Sequence, residues 1–341
     1  MKRKIRVFGL ITLLGLLAIM LLLGASGWAQ KKPPKPPPLP ADPAIAYSVS
    51  GGNSLDLMVM NADGSNQRVV VSEKWVAHLV PDWSPDGKQL VFTRYCNRGG
   101  CNGIYIVNVD GTGLRKVVDF NFSGSYTNRV AWSPVPLGDD QYKIAFVDRA
   151  RLPDGSLEAD DDLFIVNVDG TGLVQLTNTD GVNEWEVDWS PSGDRIAIET
   201  YNPAAPPCDL VVYQIGYDST KKEFSATFLG SVIPPGSLLD IAMDVSLNDW
   251  AKTQGKLLVN VLMTQGQPDL WTIDVSYLPP PFLYRLTFTG AGFGSFSPDD
   301  LKIVFDKAGT VWVMNSDGSG AKQIAAPRGL YFKGLNWRRN L

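Results

Sequence analysis

Three aspartates, Asp82, Asp188 and Asp244, recur at comparable places along the chain. Carboxylates repeated in this way would form a polar ring lining a channel. Such a ring would hold a cation or a basic peptide, or it would satisfy backbone donors between neighbouring elements. A second acidic set, Asp154, Glu158, Asp160, Asp161 and Asp162, crowds one stretch. It reads as a solvated loop, with a Ca2+ site as the alternative. Cys96 and Cys101 flank Asn97-Arg98-Gly99-Gly100, the spacing of a hairpin disulfide in an exported protein, and Cys208 is left over as a free thiol.

Catalytic constellations are missing. His78 is the one histidine and there are three cysteines, too few for a His-based metal site, a four-cysteine zinc site or most His-dependent triads. No Gly-x-Ser-x-Gly elbow, phosphate-binding loop or His-Glu-x-x-His helix occurs. The chain therefore reads as a non-enzyme, with no catalytic residue, no metal ligands and no cofactor assigned.

The elements that position these residues repeat. Turns of Ser-Pro-x-Gly type recur at Ser84-Pro85-Asp86-Gly87, Ser133-Pro134, Ser190-Pro191-Ser192-Gly193 and Ser297-Pro298-Asp299-Asp300, each preceded by an aromatic, Trp83, Trp132, Trp189 or Phe296. Asp-Gly turns alternate with them at Asp63, Asp110, Asp169 and Asp317. Proline presets φ and glycine accepts positive φ, so both turns have a mechanism. Between them lie short alternating β-rich runs such as 89–93, 143–147, 195–199 and 302–306. Serine spacings of 49, 57 and 107 mark a missing copy, which Asp244-Val245-Ser246 fills. Four short strands in about 50 residues is the pattern of a β-propeller blade.

The fold expected is all-β, a six-bladed propeller. Its innermost strands fall near 77–83, 127–132, 184–189, 239–245, 291–296 and 331–337. The last of these has no successor strand, and 44–49 reads as a second strand with no first, so the two ends should complete one blade and close the ring. The recurring aromatics, Trp337 among them, form the core between blades.

Ahead of the repeats, Lys2, Arg3, Lys4 and Arg6 precede an apolar run over 7–25, and Gly27-Trp28-Ala29 reads as a cleavage site. Residues 1–29 are thus a signal peptide or an uncleaved membrane anchor, the one route to a membrane. The export expected is to the periplasm or beyond the cell. Residues 30–42 form a Pro-rich linker, and the propeller occupies 43–341. Setting aside the four basic residues of the leader leaves 27 basic against 35 acidic, a net charge of −8 that repels nucleic acid.

The succession Trp-Ser-Pro-Asp-Gly, a Leu/Ile-Val/Ala-Phe strand, then Ile-Tyr/Phe-x-Val/Met-Asn-x-Asp-Gly resembles the TolB-like, or PD40 (WD40-like), β-propeller repeat. Residues 83–111 and 312–318 match it best. The resemblance implies a periplasmic or exported binding module that contacts another protein. Variable loops on a rigid scaffold concentrate binding residues. The long-loop face therefore offers Trp75, His78, Tyr95, Arg98, Phe122, Tyr126, Arg151, Trp185, Tyr201, Arg328 and Tyr331, since aromatics and arginine anchor protein interfaces. A carbohydrate-binding or carbohydrate-processing propeller with a glycan ligand is the alternative. Carboxylates ordered around a metal on the channel axis would favour it.

Overall fold

The computed structural model describes residues 44–50, 52–96, 100–119, 129–203, 208–233, 242, 244–263, 266–278, 282–326 and 332–339. Contacts divide the chain into Met1–Pro37 and Pro38–Leu341, and every described residue lies in the second unit. The leader, including its cleavage site, is outside the described residues.

Among the described residues every regular element is a strand. Four antiparallel four-stranded sheets stand apart. They are β8–β11 (Ala131–Trp132, Lys143–Asp148, Asp162–Asn167, Val174–Gln175), β12–β15 (Asn183–Trp189, Arg195–Tyr201, Asp209–Asp218, Glu223–Ser231), β16–β19 (Asp244–Trp250, Lys256–Leu262, Asp269–Asp274, Leu283–Arg285) and β20–β23 (Gly294–Phe296, Lys302–Lys307, Thr310–Asn315, Lys322–Ala325). The remaining strands form one eight-stranded sheet instead of two separate ones. It contains β1 (Ala44–Ser50), β2 (Leu55–Asn61), β3 (Arg68–Val71), β4–β7 (Val76–Trp83, Gln89–Cys96, Gly103–Asn108, Arg115–Asp119) and β24 (Phe332–Trp337). Its halves, β24-β1-β2-β3 and β4-β5-β6-β7, meet through the single parallel bridge Leu55↔Ala77.

The chain ends meet as the repeat phase requires. β24 pairs antiparallel with β1, Ile45 opposite Trp337 and Ala46 opposite Asn336. First strands are neighbours in a closed cycle, β4, β8, β12, β16, β20, β24 and back to β4. The fold is all-β and propeller-like.

The recurring aromatics fill the space between sheets. Trp83, Trp132, Trp189, Phe296 and Trp337 are all buried. Trp132 clusters with Val91 and Ile106 of the preceding sheet as well as Ile144 of its own. Trp83 Nε1 donates to the Asn336 carbonyl in the other half of its own sheet, and Trp189 Nε1 to the Ala131 carbonyl one sheet back. Truncating such an aromatic to Ala costs about 3–5 kcal/mol.

The Asp-Gly turns are closed by their own side chains. In one copy Asp110 Oδ1 accepts from the Thr112 backbone N–H and hydroxyl. Gly111 has φ +84°, and a Cβ there would lie 2.9 Å from the Val70 carbonyl oxygen of β3. Glycine is required twice, for its dihedral and for the approach of the other half of the sheet.

The first strand placed over 239–245 is corrected. It runs Asp244–Trp250. The copy lacks a Ser-Pro turn, and the β14–β15 hairpin, with strands of 10 and 9 residues, pushes it later in the chain than the midpoint of the spacing.

Candidate functional site

Three aspartates form a set that joins neighbouring first strands, and two of them, Asp82 and Asp188, are those the sequence placed in a polar ring. Asp82 Oδ1 accepts from the Trp83 N–H and Oδ2 from the Trp132 N–H of the next sheet. Asp188 likewise joins the Trp189 and Trp250 N–H groups. The third member is Asp249, whose Oδ2 accepts from the Phe296 N–H and the Ser295 hydroxyl. Asp244 is not part of it. That residue opens β16 opposite Leu262, and the shifted strand puts Asp249 in the place ahead of the aromatic.

Cations complete this set. Arg339 Nη2 donates to Asp188 Oδ1 at 2.7 Å and Lys252 Nζ to Asp249 Oδ1 at 2.6 Å. Arg129 is buried and its charge acts on both aspartates. Burial pushes Asp188 up, but Arg339, Arg129 and Lys252 outweigh it and hold the carboxyl below its ordinary range. Asp249 stays raised, its burial exceeding the help from Lys252. Three carboxylates face three cations, and the carboxylates spend their oxygens on backbone donors. The arrangement locks adjacent sheets together.

The long-loop residues divide. Trp75 is 55 % exposed and holds φ +65°, a costly conformation for a bulky side chain that the surroundings must impose. Trp185 and Tyr201 stack with ring centroids 5.2 Å apart. Tyr95 is half-buried, and exposed Arg151 donates to the Gly155 carbonyl. His78 does not belong to this surface: it is fully buried on β4. Its Nδ1 donates to the Leu55 carbonyl at 2.8 Å, Nε2 lies 3.5 Å from Glu73, and burial lowers its pKa. Arg98, Phe122, Tyr126, Arg328 and Tyr331 lie outside the described residues.

Cys96 and Cys101 form the expected disulfide, and Cys208 is free and buried. The acidic stretch is not uniformly solvated. Asp161 pairs with Arg149, and Asp162 accepts from the Thr179 N–H and Gln175. Both are buried, Glu158 and Asp160 are half-buried, and only Asp154 is exposed. Glu199, Cys208 and Asp244 bring one ligand atom each within 4.8 Å of one another. Sequence reasoning missed this group, since its members come from β13, the loop ahead of β14 and a misplaced β16.

No protein-family model matches the chain. Over 84 residues it is 38% identical to the Tol-Pal system protein TolB of Syntrophus aciditrophicus, spanning 23% of this chain and 18% of that protein. Over 139 residues it is 34% identical to TolB of Anaeromyxobacter sp. strain K, spanning 41% and 28%. The match thus spans less than a third of either relative. Among solved structures, one from a nidogen/laminin complex superposes with TM-score 0.61 at 9% identity, over 87% of this chain and 98% of that one. The putative TolB from Agrobacterium tumefaciens gives 0.52 at 18% identity, over 83% and 89%. These structures share an all-β, propeller-like fold with this chain. In repeat sequence, in sequence relatives and in fold, the chain resembles the TolB-like β-propeller family.

Proposed function

We propose that this chain is an exported, non-catalytic, six-bladed propeller that docks a protein partner at the cell envelope through its long-loop face, in a Tol-like role. Residues 1–29 direct export, 30–42 space the domain from its leader, and 43–341 form the propeller. The cycle of first strands supports the blade count, with the eight-stranded sheet read as two blades sharing one bridge. The N-terminal strands and β24 then make up a single blade.

The observation that carries this reading is the internal saturation of the central carboxylates. Asp82, Asp188 and Asp249 are engaged by backbone donors, and buried cations sit among them. Metal or sugar chemistry on the axis would need those oxygens, so the glycan alternative loses its most direct site. What faces outward is exposed Trp75 and the Trp185–Tyr201 stack, the residue types that anchor interfaces. The relatives called TolB belong to a Tol-Pal system, which favours an envelope partner.

The test is affinity purification of the tagged full chain from envelope fractions, beside Trp75→Ala and a Trp185→Ala/Tyr201→Ala double variant. The reading expects a stoichiometric protein that co-purifies with the wild type and is depleted about 10-fold or more by the variants, a loss of one to two kcal/mol. An unchanged set of co-purifying proteins overturns it.

A further inference from the structure

A cavity of ≈ 440 Å³ opens on one face of the β12–β15 sheet. Strand register assembles it. Glu184 of β12 pairs with Thr200 of β13, Thr200 with Asp209 of β14, and Tyr213 of β14 with Phe228 of β15. Alternation along β14 keeps Asp209, Val211 and Tyr213 on one face. Thr179 and Val182, from the connection ahead of β12, also line it. Trp185 and Tyr201, singled out by the sequence, are the immediate neighbours of Glu184 and Thr200 and are not among the lining residues.

The lining combines aromatic walls with an unbalanced negative floor. The Tyr213 and Phe228 rings meet at 69° with centroids 5.8 Å apart, and Phe228 is 57 % exposed. Glu184 is fully buried; its Oε2 accepts from Thr177, while its Oε1 has no hydrogen-bond partner among the described residues. Asp209 is engaged by the Ser231 hydroxyl and the Leu210 N–H. None of the described lining residues is Lys or Arg. A buried carboxylate without a counter-charge is costly, and two aromatic faces beside it attract a cation.

We propose that this cavity is a binding site for an alkylammonium group, carried by a free small amine or by a lysine side chain. The ammonium supplies the missing partner of Glu184 Oε1, and the alkyl chain lies against Tyr213, Phe228 and Val211. Burial and the charge of Asp162 push Glu184 up to about 7. The other titratable groups around it are Tyr213, Asp209 and, through Asp162, Glu158. Cation binding ionises Glu184, so affinity should rise between pH 6 and pH 8 with release of a proton. The site stands apart from the docking reading.

The test is calorimetric titration of the full chain with n-butylammonium chloride and with Nα-acetyl-lysine-methylamide, against n-butanol and glucose. Saturable one-site binding of an ammonium probe is expected, absent for the neutral compounds and weakened about 10-fold in Glu184→Gln. Phe228→Ala, at an exposed position that leaves the fold intact, should weaken it about 5-fold. Binding of the capped lysine alone assigns the group to a peptide, and binding of butylammonium alone to a free amine; both support the site. Lack of saturation by both ammonium probes, equal binding of n-butanol or glucose, or unchanged affinity in Phe228→Ala overturns it.

Discussion

Arg339 Nη2 donates to Asp188 Oδ1 at 2.7 Å although 151 positions separate them. Arg339 follows β24, and Asp188 sits on β12, three places away in the six-membered cycle of first strands. In the proposed six-bladed propeller this contact crosses the centre of the ring. With Arg339 8 % exposed, removing it strands a buried carboxylate. Arg339→Ala should cost about 3–5 kcal/mol in urea unfolding, and a loss below about 1 kcal/mol would show the pair to be dispensable.

In the proposed propeller, closure of the ring rests on one short strand. β1 pairs with β2 on one side and with β24 on the other. Deleting residues 43–50 unpairs both neighbours at once. Thermal unfolding should become broader, with a midpoint lower by about 10 °C or more. An unchanged transition would mean that β24 is held without β1.

Two buried carboxyls should leave opposite marks on stability. Asp188 is held below its ordinary range, so its contribution is present above the unfolded pKa and is lost as pH falls through the folded value. Glu184 is raised from 4.5 to about 7, so its contribution is full below the unfolded value and is lost as pH rises through the folded one. Glu184→Gln removes the second effect. The variant should match the wild type near pH 4 and exceed it by about 1–3 kcal/mol at pH 8. Urea titrations at the two pH values decide the sign, and equal stability at pH 8 would contradict it.

The Cys96–Cys101 bridge closes a loop with a sequence separation of 5. So short a loop constrains the unfolded chain weakly. The paired change Cys96→Ser/Cys101→Ser should cost about 2 kcal/mol or less. A larger loss in denaturant unfolding would mean that the bridge also orders the end of β5.

Much of this architecture was legible because its punctuation is chemical. The Ser-Pro and Asp-Gly turns are specified by side chains that bond their own backbone. Ser84 Oγ donates to Asp86 and accepts from the Gln89 N–H, and Asp110 caps Thr112. Where the punctuation was replaced, the reading slipped. At the fourth copy Trp250 is followed by Ala251-Lys252, and the turn is instead braced from the next sheet by Asp300, which accepts from the Lys252 and Thr253 N–H groups. The Asp-Trp pair repeated at 82–83, 188–189 and 249–250 was the signal that could have placed it. The central cations were illegible for another reason. Arg129, Lys252 and Arg339 look like surface charges until the closed cycle brings them among the aspartates. The same holds for Glu184, whose isolation depends on strand register and on the connection that covers it.

The docking claim is tested most directly by crosslinking in the living cell, with a photoreactive amino acid at Trp75, which is exposed and held in a strained backbone. Mass spectrometry of the irradiated envelope fraction should show one discrete protein adduct, absent when the same residue is placed at exposed Tyr277 on the loop between β18 and β19. No adduct above background at Trp75, or the same adducts from both positions, would contradict the account.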